Sequence, residues 1–411
     1  MAVFSYFRNN PNGNMGCHDI NLGIEYPMTS SFNFSDFCDQ NINVLIGSGA
    51  SFGLFPTLEL GIKADDGTHT TVESLATLFA DRSDPRYSAL FVHYYKTCIE
   101  PVLSFDYSGA MKAGPQATAL ENYRKLLSSL LLLLKRKRPD QRKVCNLFTT
   151  NYDGCIAHAA EELWKERKHE FYLNDGTTGF KRRYLDARNF STVTTQTGVF
   201  GRHRNEVPQV NLIHLHGSSY WFKDADRIQV NYQTNNADRL VTSGALARCD
   251  NFSDVLLDAT KMVKDLPDVR FIGKETSAFW SKYDLLPIVN PTKWKFHETV
   301  FEEHYYQMLR YLSYELEKPH AVLLTFGFSF ADEHIRQLVR RSLSNPSLQV
   351  YVCCYSVGAK ASIEKHFGEF PNVQAIVLDD PLDFSAFNDQ VFTASPRVVG
   401  VKDALAEVAA A

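Results

Sequence analysis

Short apolar runs punctuate this chain, and several of them end on a polar cluster. Ile42-Asn43-Val44-Leu45-Ile46, Val144-Cys145-Asn146-Leu147-Phe148, Val210-Asn211-Leu212-Ile213, Ala321-Val322-Leu323-Leu324-Thr325-Phe326 and Gln349-Val350-Tyr351-Val352-Cys353-Cys354 have strand length and little alternation. Such runs suit strands buried on both faces, as in a parallel sheet. Ala375-Ile376-Val377-Leu378 reads as a last strand. Between these runs, apolar residues recur at three and four, the helical spacing. Helices are expected over 72–79, 120–134, 153–168, 252–264, 298–316 and 333–342. Thr71-Val72-Glu73-Ser74 is a weak helix start, and Lys135-Arg136-Lys137-Arg138-Pro139 ends the 120–134 helix. Strands alternating with helices predict an α/β fold: a Rossmann-like parallel sheet with helices on both faces and large, mostly helical insertions. The expected layout is an arm over 1–35, a Rossmann domain over 36–390 and a tail over 391–411. Insertions are expected at about 60–140, 170–208 and 223–320.

The polar clusters sit where a parallel sheet builds its ligand crevice, beyond the strand ends. Gly47-Ser48-Gly49-Ala50-Ser51-Phe52-Gly53 follows the first strand. Glycines let a backbone approach a pyrophosphate, and free amides at a helix start bind its charge. A tight turn with no ligand uses the same residues. Thr149-Thr150-Asn151-Tyr152-Asp153 offers hydroxyls, an amide and a carboxylate. Asn donates and accepts at once, which suits ribose hydroxyls or a water. Helix capping by Thr150, Asn151 or Asp153 is the other reading. His214-Leu215-His216-Gly217 places two imidazoles on one face of a strand. No acidic or thiol partner stands at metal-ligand spacing, so His216 fits proton transfer better than metal binding. Gly327-Phe328-Ser329 repeats the strand-then-glycine pattern, with Ser329 able to bond ribose or phosphate.

Composition narrows the classes. With 411 residues, 44% apolar and 22% charged, the chain has the make-up of an ordinary globular protein. A net charge of -4 argues against polyanion binding by bulk electrostatics. The Lys135–Arg138 run reads as a solvated helix end. Residues 1–30 lack the pattern of a secretory signal, and the longest greasy stretch, Leu126 to Leu134, is too short to span a bilayer. No CxxC pair occurs among the eight cysteines, so a structural zinc site is not expected and a reducing, cytoplasmic setting is.

Taken in order, these motifs resemble the sirtuin family. That family carries a Gly-Ala-Gly-x-Ser turn, a Thr-Gln-Asn-x-Asp strand end, a catalytic His-Gly and a later Gly-x-Ser. The resemblance covers the Rossmann-like core, well under half of the chain. It implies that Gly47, Ser48, Gly49 and Ser51 line a pyrophosphate. Asn151, after Thr150, would hold the nicotinamide ribose, and Asp153 would meet the carboxamide. His216 would act as base, and Gly327 and Ser329 would touch the adenosine side. The departures also inform. The four-cysteine zinc ribbon of sirtuin deacylases is absent, Thr150 replaces the Gln, and Phe55-Pro56-Thr57-Leu58 stands where Asp-Phe-Arg is usual.

The combination looks like the sirtuin-like effectors of prokaryotic antiviral defence, which hydrolyse NAD to nicotinamide and ADP-ribose without a metal. The nearest likeness is to the effector paired with a HerA-type hexameric ATPase and DNA translocase. It implies a homo-oligomer, a dodecameric ring of two stacked hexameric layers, that meets nucleic acid only through the complex and no membrane. The aromatic-rich arm (Phe4, Tyr6, Phe7, Tyr26, Phe32, Phe34) suits subunit contacts and equally a folded core. Rival readings are an NAD-dependent deacylase or ADP-ribosyl transferase, a non-catalytic NAD or ADP-ribose-binding assembly subunit, a dehydrogenase, and a nuclease subunit.

Overall fold

The computed structural model describes residues 34–393 apart from 112–113, 198–200, 202–203, 234–238 and 291–298. Nearly all of the expected arm (1–35) and tail (391–411) lies outside the described residues. Seven strands form one sheet: β1 (Asn41–Ile46), β2 (Val144–Thr149), β3 (Tyr172–Asn174), β4 (Gln209–His214), β5 (Ala321–Phe326), β6 (Gln349–Cys353) and β7 (Val373–Ile376). Their order is β7-β6-β5-β1-β2-β4-β3, and every neighbouring pair is parallel. This is the expected α/β, Rossmann-like architecture. From β1 the chain steps one way to β2 and β4, then returns to lay β5 on the other side of β1. The switch point therefore falls between β1 and β5, where such sheets open a crevice at their carboxyl edge.

Burial explains why the strands read as continuous apolar runs. Leu45, Phe148, Ile213, Leu323 and Val350 share one core with Met308, Leu312 and Leu316 of α3 (Thr299–Leu316), Ile335 and Val339 of α4 (Glu333–Ser342) and Phe367 of α5 (Val357–Phe367). The alternate residues Val44, Leu147, Leu212 and Leu324 are equally buried, so the sheet is covered on both sides. α1 (Pro115–Arg136) packs along β2 and β4 and against α2 (Cys155–Glu166). α1 opens with Pro115 in its first turn, where the missing N–H costs nothing, and closes on Lys135 and Arg136. The helix start at Thr71 is a full capping box: the Thr71 hydroxyl accepts from Ser74 N–H, and Ser74 Oγ accepts from Thr71 N–H.

Four expectations need correcting. The 170–208 segment is not wholly an insertion, because it supplies edge strand β3 and short hairpins. The Gly-rich turn opens only a single 3-10 turn, Ser48–Ser51, which ends where Phe52 turns extended at ψ 132 ahead of Gly53 at positive φ. The last strand stops at Ile376. The basic run is not simply solvated either: Lys137 is buried, its Nζ donating to the Gln40 carbonyl at 2.6 Å, and Arg138 faces Asp39 and Asp140. Among the described residues no helix is long and apolar enough to cross a membrane.

The insertions before α1 and after β4 join in space. Leu60, Ile62, Val72, Leu75, Phe91, Tyr94 and Tyr95 share a second core with Val241, Phe252, Leu256, Phe279, Trp280 and Tyr283. Polar ties reinforce it: Trp280 Nε1 donates to Ser88 Oγ, and Lys96 pairs with Asp250. Tyr152, from the loop after β2, packs against this helical lobe.

A row of buried amides crosses the sheet. Asn43, Asn146, Asn211 and Asn174 stand in register on β1, β2, β4 and β3. Asn146 Nδ2 donates to Asn43 Oδ1 at 2.9 Å, Asn211 to Asn146 at 2.8 Å and Asn174 to Asn211 at 3.1 Å. Asn146 also donates to the buried Glu315, which Lys318 neutralises. Each amide both donates and accepts, so the row satisfies itself inside the core. Asn146→Ala removes the middle link and leaves buried partners on both sides without one. Its unfolding free energy, from urea titration, should fall by about 3 kcal/mol; a change within error would mean that the row is neutral.

The lobe carries a pH dependence. Burial first, and the Lys96 charge second, pull His93 down to about 4 from its usual 6.5. The unfolded chain therefore binds a proton that the folded chain refuses. His93 is compatible with full stability above about pH 6.5, and stability falls as pH drops toward 4, by about 3 kcal/mol in all. His93→Gln should flatten that slope in urea unfolding measured across pH; an unaltered slope would assign it to other groups.

Candidate functional site

The carboxyl ends of β5, β1, β2 and β4 lie side by side, and each carries one of the sequence motifs. The β1 and β5 turns are pressed together. Gly47 N–H donates to the Phe326 carbonyl at 3.0 Å and Gly49 N–H to Gly327 O at 2.9 Å. A Cβ on Gly47 would meet Gly327 O at 2.4 Å, and one on Gly49 would meet Gly327 Cα at 2.8 Å. Gly327 itself sits at φ +65, with Ala50 N 2.5 Å from where its Cβ would stand. These glycines answer first to the contact of two backbones, a demand that a sequence pattern cannot tell from close approach to a ligand.

Beneath the turn lies a closed polar network. Ser51 Oγ donates to Asp153 Oδ2 at 2.7 Å and accepts from Tyr123 Oη at 2.7 Å and Asn151 Nδ2 at 3.0 Å. That uses its one proton and both lone pairs. Burial, then the Asp153 charge, pushes the Tyr123 phenol far up, so it stays a donor. Asp153 Oδ1 accepts from Cys155 N–H in the first turn of α2, while the N-cap itself is Gly154, so Asp153 supports the helix start from one residue before the cap. Asn151 Nδ2 also donates to the Gly47 carbonyl at 3.2 Å. Asn151 Oδ1 takes no hydrogen bond from the described residues. The amide is thus held by its nitrogen and presents its oxygen. Cys155 is an inert neighbour, its thiol driven far up by burial and then by Asp153.

The two histidines part ways, because β4 ends at His214 and the strand alternation ends with it. His214 is buried, its Nδ1 3.1 Å from the Asn151 carbonyl oxygen and its ring edge-on to Trp221. Burial lowers its pKa first, opposed by that hydrogen bond. His216 instead turns toward α3 and the β5 loop. Its Nε2 lies 3.1 Å from Asp332 Oδ2, an ion-pair distance without hydrogen-bond alignment, and its ring packs on Tyr305. The segment from 214 to 219 runs beside the Asn151 loop, with Leu215 N–H on the Thr149 carbonyl and Ser219 N–H on the Tyr152 carbonyl, both at 2.8 Å. Gly217, at φ +89, has Pro287 O 2.1 Å from where a Cβ would lie, so the 286–289 segment covers this stretch. Tyr152 Oη donates to the Val289 carbonyl, and Val289 N–H donates to the His216 carbonyl.

Gly47, Gly49, Ser51, Asn151, Asp153 and Gly327 therefore form one constellation, with His216 on the adjoining loop. Ser48 and Ser329 are exposed on the turns, Ser329 Oγ meeting its own loop at Ala331 N–H, and Thr150 is half-buried. Sequence reasoning missed Tyr123, Tyr305 and Asp332. Tyr123 lies inside the apolar helix pattern, where its hydroxyl leaves no signal. Asp332 stands just before the expected 333–342 helix, which it caps. Tyr305 Oη, whose ring packs on His216, and Ser219 Oγ, three residues along the chain, are among the five buried hydroxyls that have no partner among the described residues. Among the described residues no group of His, Cys, Asp and Glu could hold a metal ion. No family model matches this chain, and a search of the curated proteins finds no match.

Gly327→Ala should both strain the backbone and collide with Ala50. A loss of about 3 kcal/mol in urea unfolding is expected, and an unchanged midpoint would show that the two turns can separate freely.

Proposed function

We propose that this protein is a sirtuin-like NAD hydrolase, cleaving the nicotinamide N-glycosidic bond to release nicotinamide and ADP-ribose. The observation that carries the reading is Asn151: its nitrogen is fixed by Gly47 and Ser51 while its oxygen is left to accept, at the carboxyl edge of a parallel sheet one strand from the switch point. The unpartnered hydroxyl of Tyr305, whose ring packs on His216, also fits a polar ligand.

In this reading Asn151 Oδ1 orients a ribose hydroxyl or the attacking water, and His216 removes its proton. Water supplies hydroxide to the anomeric carbon, the bonding pair leaves with nicotinamide as its ring charge is neutralised, and one proton is released. Asp153 is already committed to Ser51 and Cys155, so in this chain it braces the turn whatever else it meets. The resemblance to defence effectors extends the proposal to a cytoplasmic, ring-forming homo-oligomer that depletes NAD with a HerA-type ATPase partner. Light scattering on a sizing column tests the assembly, and a strict monomer would remove it.

Purified protein incubated with NAD, without peptide or metal, should yield nicotinamide and ADP-ribose by liquid chromatography. Asn151→Ala and His216→Ala should each lower turnover by about 100-fold or more while staying folded, and Asn151→Ala should also lose about 1–3 kcal/mol in urea unfolding, because the Gly47 carbonyl loses its donor. Intact NAD with measurable binding by calorimetry would favour the assembly-subunit reading. Intact NAD even with the ATPase partner and DNA present would sink the hydrolase.

A further inference from the structure

The acidic neighbour of His216 is held more firmly than a surface carboxylate. Asp332 is the N-cap of α4: its Oδ1 accepts from Ile335 N–H at 3.1 Å, and its carbonyl accepts from Arg336 N–H. Its other oxygen is the one 3.1 Å from His216 Nε2, and both side chains are largely buried, at 13% and 9% exposure. The chain is aimed there by an uncommon turn. Phe330, two residues earlier, is fully buried at φ +58, a conformation that bulky residues rarely adopt. Its ring is wedged edge-on against Phe328 and Phe367, and its carbonyl accepts from Arg336 Nη1. One carboxylate oxygen thus belongs to the helix and the other to the imidazole.

We propose that Asp332 is a positioning residue that orients His216 and stabilises its protonated form. The inference rests on the hydrolase reading only for the reaction served; the coupling of the two side chains stands apart from it. As His216 takes a proton, a positive imidazolium forms beside a fixed negative charge. A carboxylate in that place lowers the cost of the proton transfer and holds the ring in one orientation. Among the described residues, the other ionisable groups around the pair include Tyr305 on α3, Tyr152 on the β2 loop, Glu73 on the 72–78 helix, and Glu333 and His334 after Asp332 itself. Burial pushes the Tyr152 phenol up to about 12 and that of Tyr305 further, and the charges of Asp332 and Glu73 add to both, so both phenols stay neutral. Glu73 is the second negative charge near the site. Among the described residues, Asp332 is the acid shown at contact distance.

Asp332→Asn is the discriminating variant, because Asn caps a helix as well as Asp does. The protein carries carbon-labelled histidine, and the His216 resonance is assigned by its loss in His216→Ala. In Asp332→Asn the His216 titration midpoint should move down by about one unit or more. The acidic limb of the pH–kcat profile should move the same way, since a base with a lower pKa stays unprotonated to lower pH. Turnover at neutral pH should fall by about tenfold or more, with KM little changed. In a His216→Ala background the same substitution should add little, since Asp332 acts through the imidazole. Asp332→Ala loses the cap as well, and its additional loss of stability measures the structural share. An unmoved His216 midpoint in folded Asp332→Asn overturns the proposal. If no form of the protein cleaves NAD, a shifted midpoint still upholds the coupling while the hydrolase reading falls by itself.

Discussion

The contact on which the site depends is the meeting of two backbones, Gly47–Gly49 after β1 and Gly327 after β5. Parallel neighbours diverge where their connections leave toward opposite faces of a sheet. Here the divergence is held shut by two amide–carbonyl bonds that side chains on any of the three residues would prevent. With the turns clamped, Ser51 points inward and the Gly47 carbonyl comes within reach of Asn151. The hydrogen bonds of Asn151, Ser51, Tyr123 and Asp153 follow from that one approach, and each is individually worth little beside the cost of leaving any of them unmade.

The molecule buries polarity in two places and treats it alike in both. The asparagine row across β1, β2, β4 and β3 and the network under the Gly-rich turn are chains in which donors and acceptors are matched. A hydrophobic sheet would slip register at little cost to its side-chain pattern, provided it slipped by two. Paired amides forbid that slip, because every displaced Asn would lose partners in a dry core. Register in turn sets which residues stand at the four carboxyl ends. The polar row in the core and the polar cluster at the edge are therefore mechanically linked, although they share no atom.

The helical lobe makes the site asymmetric. Two long insertions, separated in the chain by β2 to β4, share a core of Leu, Phe, Trp and Tyr, and Tyr152 reaches into it from the motif loop. Tyr152 bonds Val289, Val289 bonds His216, and Gly217 lies under Pro287. The lobe thus grips the His216 loop from one side while α4, through Asp332, approaches from another. A histidine held by its backbone on one element and faced by a carboxylate from a second has little freedom to reorient.

The strands and most helices were legible because burial on both faces of a parallel sheet demands unbroken apolar runs, and amphipathic helices demand apolar residues at three and four. Motif positions at strand ends were legible for the same reason, since the strand ends themselves could be located. Side-chain partners were not. Whether His214 and His216 share a face depends on where β4 stops, which is set by its neighbours rather than by local preference. The 170–208 segment looked like an insertion because β3 is only three residues long and takes its stability from β4. Asp332 stood unremarked before a helix, for its second oxygen finds His216 only after β4 and β5 are laid with β1 and β2 between them. Periodicity is a property of neighbouring residues, so the sequence by itself determined the sheet, its helices and the places where chemistry could sit. Contact between residues more than a hundred apart is a property of topology, so only the tertiary structure decided which of those groups face one another.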